Sequence, residues 1–186
     1  MAKTESTMMP LGTSAPAFNL PDTISGNTID YKDVKADKGT VVMFICNHCP
    51  YVIHVQEKIV ALAKEYQSQG VGFVAISSND VENYPDDSPE LMKKHAEKYD
   101  FSFPYLYDES QEIAKSYQAA CTPDFFVFND KDECVYRGRL DGATPGNNVP
   151  VTGDDLSLAL RNLTAGLPVD TEQHPSLGCN IKWKNN

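Results

Sequence analysis

A single tryptophan and four histidines stand in the 186 residues, and 16 basic residues face 26 acidic ones, leaving a net charge of −10. That shortage of positive charge sets the surface against nucleic-acid phosphates and anionic lipid headgroups, so neither is an expected partner. No stretch approaches the roughly 18 consecutive apolar residues that a membrane-spanning helix needs. The opening "MAKTESTMMPLGTSAPAF" has no apolar core of the kind that leads a secretory signal, so the expected location is cytoplasmic. Cysteine is scarce and odd in number, five in all, which argues against a secreted disulfide scaffold. There is no second Cys-x-x-Cys to complete a four-ligand zinc site, and no metal or other cofactor is expected.

What is present is an ordinary globular composition, 41% hydrophobic, in a chain long enough to bury its own core. A single domain over 1–186 is expected, with its core in 10–166 and an irregular, proline-containing tail over 167–186. The focus is "FICNHCPYV" at 44 to 52, where two cysteines lie three apart with a histidine between them.

Just before it, "VVMFI" at 41 to 45 reads as a buried strand. From Cys49 to Gln69, Val52, Val55, Ile59, Leu62, Ala63 and Tyr66 recur at helical spacing, with Pro50 in the first turn and Gly70 to end the helix. "VGFVAIS" at 71 to 77 is a second buried strand, giving a βαβ unit and hence a parallel pair. Helices are predicted over 88–99, capped by Ser88, and over 112–118. "FFVF" at 125 to 128 and "CVYRGRL" at 134 to 140 flank a polar turn and predict an antiparallel hairpin. A last helix over 152–166 is expected to start at a Thr152 cap.

This order, with Cys-x-x-Cys at the first strand-to-helix junction, resembles thioredoxin. "PLGTSAPAFNL" is similar to the N-terminal hairpin that opens peroxiredoxins and their thiol–disulfide relatives. With "CNHCPYV", "CTPDFF", "YRGR" and "GCNIKWK", the chain is identified as a member of the thioredoxin-like redoxin family, related to the alkyl hydroperoxide reductase and thiol-specific antioxidant group. The resemblance implies an α/β, thioredoxin-like fold: a mixed central sheet flanked by helices, with an N-terminal β-hairpin. It also implies a cis-proline at Pro123 opposite the dithiol, with Thr122 docking an extended substrate as an added strand.

The thiol chemistry can be argued from the residues. A thiolate attacks a disulfide, and a helix N-terminus stabilises a thiolate. Cys46, expected to be the more exposed, is the predicted nucleophile, and Cys49 one turn on is the predicted resolving thiol. An oriented imidazole at His48 would favour the Cys46 thiolate and make the couple more oxidising, unless it is only a solvated loop residue. His54 reads as a surface or packing residue. Cys121 is open between a spare redox thiol and a small core residue, and Cys134 reads as structural. Cys179 leans towards a redox role because the tail resembles the family's. Arg137 and Arg139 share a strand face, either to bind an acidic or anionic group or to lie solvated.

The resulting expectation is a thiol–disulfide oxidoreductase acting on disulfide-containing proteins or small molecules, with a thiol reductant to close the cycle. A peroxiredoxin-like thiol peroxidase and a non-enzymatic redox-sensing module stay open beside it. Two departures bear on that choice. Ile45 stands where thioredoxin has tryptophan, and Asn47-His48 where it has Gly-Pro. If Cys49 takes the place of the peroxiredoxin cysteine in Pro-x-x-x-Thr-x-x-Cys, Val42 and Cys46 fall where the proline and threonine belong.

Overall fold

The computed structural model describes residues 3–185. In chain order the elements are β1 (Lys3–Glu5), β2 (Asn19–Pro21), β3 (Thr28–Asp30), α1 (Tyr31–Val34), β4 (Gly39–Phe44), α2 (Pro50–Gln67), β5 (Val71–Ser77), a 3-10 turn (Pro85–Asp87), α3 (Pro89–Lys98), β6 (Tyr105–Tyr107), α4 (Glu112–Ser116), β7 (Cys121–Thr122), β8 (Asp124–Phe128), β9 (Cys134–Gly138), α5 (Asp154–Thr164) and β10 (Leu177–Asn180).

The main sheet runs β6-β5-β4-β8-β9, with β4, β5 and β6 parallel and β8 and β9 antiparallel. It is mixed because β4 to β5 and β5 to β6 cross over through helices, whereas β8 and β9 are joined by a polar turn. β4 lies at its centre, and its side chains alternate. Val41, Met43 and Ile45 join the core beneath α2, α3 and α5, while Val42 and Phe44 join the opposite core formed with Phe18, Tyr31 and Tyr117. A strand covered on both faces has no polar side to show, which is why "VVMFI" is apolar throughout. Each of these side chains is fully buried and contributes about 1.5–3 kcal/mol. β2 and β3 form the expected N-terminal hairpin.

Two expectations need correction. Gly153, at φ +73, caps α5, and Asp141 accepts the backbone N–H groups of Thr152 and Gly153 at 2.8 and 2.6 Å. Asp141 thereby fixes the turn into the helix, and Thr152, one residue before the cap, still accepts the Asp154 N–H on its Oγ1 at 3.3 Å. More consequential is the tail, which is irregular except at 177–180: there β10 is the middle strand of a second sheet, β1-β10-β7. Ile181 beyond it is 1% exposed. Four residues containing a glycine carry little strand signal, and both partners of β10 lie far away in sequence.

Candidate redox site

β4 delivers the chain to Cys46, the loop Asn47-His48 turns it, and Cys49 is the N-cap of α2, where its carbonyl accepts from the N–H groups of Val52 and Ile53, both at 3.0 Å. Pro50 follows at N1, where its missing N–H goes unneeded. Opposite lies β7, joined to β8 through a cis Thr122–Pro123 bond. Cys46 Sγ is 3.5 Å from Thr122 Oγ1, and Cys49 Sγ is 3.3 Å from the Thr122 carbonyl oxygen. All five cysteines are free thiols. A third sulfur completes the group: Cys179 Sγ, carried by β10, lies 2.8 Å from Cys49 Sγ.

The loop between the two cysteines is held by Asp87, which is fully buried. Its carboxylate accepts from the Asn47 N–H at 2.8 Å and from Asn79 Nδ2 at 2.8 Å. Tyr105 donates its hydroxyl to Asn47 Oδ1 at 3.0 Å. His48 Nδ1 is 2.6 Å from Asp87 Oδ2, and the imidazole stacks on Tyr84 at 5.9 Å between ring centroids. Lys182 Nζ lies over the Tyr84 ring, 5.6 Å from its centroid. His48 is thus committed to Asp87 and Tyr84. The donor atoms of Cys46, His48 and Asp87 lie within 4.8 Å of one another, a spacing a divalent ion can bridge. Asp87 already spends both oxygens on Asn47 and Asn79, so the geometry accounts for it as the anchor of the loop.

The surroundings favour charge on the sulfur that the sequence did not. Cys46 is 1% exposed and Cys49 is fully buried, so neither is an open sulfur. The Cys46 thiol is pushed well up, by the hydrogen bond it gives to Cys49, by burial and by the Asp87 carboxylate. Cys49 moves the other way, lowered to about 5, first by the Cys46 thiol and then by Cys179, Thr122 and the Val52 N–H, with burial opposing. Burial and the neighbouring Cys49 push Cys179 up to about 12. These neighbours favour the thiolate on Cys49 over the one expected on Cys46.

The remaining expected residues divide. Thr122 and Pro123 do face the thiols, but the backbone edge of Thr122 is taken: β10 pairs there, Cys179 opposite Thr122. Beside Pro123 a cleft of about 410 Å³ opens, lined by Tyr51, Val55, Pro123, Arg139 and Ser176 among others. Arg139 reaches this cleft and pairs with Asp155 at 2.5 Å. Arg137 instead braces the fold, donating to the Met9 carbonyl and to Gln173 Oε1, both at 2.8 Å. Cys121 is fully buried and its thiol is raised by burial, the surroundings of a packing residue. Burial likewise pushes Cys134 up to about 11, and His54 is exposed on α2. Sequence reasoning missed Asp87 and Asp124. Asp124 directly follows Pro123 and is fully buried, and burial holds its carboxyl well above the usual range. The only signal was, for Asp124, an acidic residue beside a proline and, for Asp87, an acidic pair between two prolines.

Residues 11–137 match the AhpC/TSA family, more than half of the chain. The chain belongs to the AhpC/TSA family. Its sheet and helices form a thioredoxin-like fold. An uncharacterized conserved protein from Geobacillus kaustophilus is 56% identical, with 100% of this chain and 98% of that one covered at a TM-score of 0.98. A hypothetical protein from Sinorhizobium meliloti 1021 is 43% identical, with 98% and 100% covered at a TM-score of 0.96. Thiol-disulfide oxidoreductase ResA of Halalkalibacterium halodurans is 26% identical over 125 residues, 67% of this chain and 65% of that protein.

Proposed function

We propose that this redoxin is a thiol–disulfide oxidoreductase whose reacting groups are Cys46 and Cys49. The observation that carries the reading is the pair of free thiols at the head of α2, facing Thr122-Pro123. The similarity to ResA supports it. In the first step the Cys49 thiolate attacks a substrate disulfide, forming a Cys49–substrate bond and releasing one substrate thiolate. Cys46 then attacks Cys49 Sγ, its proton passes to the second leaving thiolate, and a Cys46–Cys49 disulfide remains for an external thiol reductant to reopen.

A thiol peroxidase is the second reading, favoured by the thiolate on Cys49, the position that aligns with the peroxiredoxin cysteine. Val42 and Cys46 stand against it, because the proline and threonine that would shape a peroxide site are absent. Insulin reduction and peroxide consumption by wild type, Cys46→Ser and Cys49→Ser separate the two. The oxidoreductase reading expects both variants to lose at least tenfold in insulin reduction. Rapid peroxide consumption that survives in Cys46→Ser would replace it with the peroxidase reading.

A further inference from the structure

The tail strand stands where an extended substrate was expected to dock. β10 runs antiparallel to β7 with Cys179 opposite Thr122 and Asn180 opposite Cys121, so it already forms the added strand on the segment that precedes the cis-proline. The approach is close because residue 178 has no side chain: a Cβ there would meet the Thr122 carbonyl oxygen at 1.9 Å. Glycine is what allows the strand to lie flat on Thr122 and the next residue to present its sulfur to Cys49.

The strand is also fastened on both sides of that contact. Before it, Ser176 N–H donates to Ser6 Oγ at 2.7 Å and Ser6 N–H to the Ser176 carbonyl at 2.9 Å. After it, Ile181 N–H donates to the Ala120 carbonyl at 3.0 Å, and Lys182 N–H to Asn79 Oδ1 at 2.8 Å. Asn79 also donates to Asp87, so the tail and the Cys46–Cys49 loop share a buried anchor. A thiol held in one place beside its target has paid its ordering entropy on folding and reacts with a large effective concentration.

We propose that Cys179 is a third redox thiol, which relays a Cys46–Cys49 disulfide within the chain to a Cys49–Cys179 disulfide. Cys179 attacks Cys49 Sγ. The Cys46–Cys49 bond breaks as the Cys49–Cys179 bond forms, and the proton lost by Cys179 ends on Cys46. Among the three sulfurs one thiol and one disulfide are present before and after, so no outside oxidant or reductant takes part. In the product Cys46 is a free thiol and β10 is covalently tied across Thr122. The relay deepens the dithiol reading: it gives the oxidised site a second stable form, closed against a strand-like substrate.

Oxidation with diamide, acid quenching, alkylation and tryptic mapping test it. Cys46 and Cys49 share the peptide 39–58 and Cys179 falls in 162–182, so the two disulfides are separable by mass. The wild type is expected to give both an internal bond in 39–58 and the cross-link between 39–58 and 162–182. In Cys46→Ser the cross-link is expected to become the main oxidised product. A wild type that yields only the internal bond, with Cys46→Ser giving intermolecular dimers instead of the cross-link, overturns the relay and leaves the dithiol reading intact. Absence of both bonds in the wild type would overturn the two together. Cys179→Ser, in which the internal bond should form alone, checks that the cross-link is assigned to the right sulfur.

Discussion

The assignment of the thiolate to Cys49 can be tested by its response to pH. With Cys49 at about 5, the sulfur is about three-quarters ionised at pH 5.5, against about 0.1% for an ordinary thiol near 8.5. A less basic thiolate is also a weaker nucleophile. At a Brønsted slope of about 0.45, a drop of roughly 3.5 units costs about 40-fold. The two effects nearly cancel at pH 7, where ionisation gains only about 30-fold, and leave Cys49 about 20-fold faster than an ordinary thiol at pH 5.5. The diagnostic is therefore the shape of the profile and not the neutral rate. Iodoacetamide labelling located by fragmentation of peptide 39–58, alongside ultraviolet thiolate absorbance, should show Cys49 reaching its plateau by about pH 6. Cys46→Ala removes the largest stabilising hydrogen bond and should move the midpoint upward. Asp87→Asn removes the carboxylate that opposes ionisation of Cys46, and should lower the Cys46 midpoint. Labelling of Cys46 ahead of Cys49 in the wild type, or a Cys49 midpoint near 8.5, would refute the argument.

Gly178→Ala should destabilise the protein by about 1–3 kcal/mol, the usual cost of forcing atoms into a filled site, because the new Cβ would collide with the Thr122 carbonyl oxygen. Denaturant melts measure it, and an unchanged midpoint would mean that β10 does not lie on β7 in solution. Asp124→Asn tests pH linkage. The Asp124 carboxyl is raised by burial, so below its unfolded value of 3.8 both states are protonated and it costs nothing. As pH rises, the unfolded chain ionises first, and stability falls until the folded carboxyl itself titrates, by about 1.4 kcal/mol per unit of displacement. The variant should show a flatter fall in stability as pH rises above about 4, and a slope equal to that of the wild type would remove Asp124 from the account.

The sequence determined what its local patterns encode. Apolar runs at 41–45 and 71–77, helical spacing from Val52 to Tyr66, and two strands across a polar turn specify which faces must be buried, and so the βαβ unit, the hairpin and the place of Cys46 and Cys49 at the head of α2. Pro50 marks that helix start directly, because proline is tolerated in the first turn and not beyond it. The family motifs, too, are contiguous strings that need no fold to be read.

Only the tertiary structure decided what touches each sulfur, and so which of them its neighbours favour for the charge. A thiol's ionisation depends on burial and on charges within a few ångströms, and here those come from Thr122, Asp87 and Cys179, which lie 73, 38 and 130 residues from Cys49. The tail was misread for the same reason. "LGCN" is too short to signal a strand by itself, and it becomes one because β1 and β7, from opposite regions of the chain, leave their backbone edges to be filled. Spacing placed two cysteines together, and long-range pairing brought the third to within 2.8 Å of Cys49.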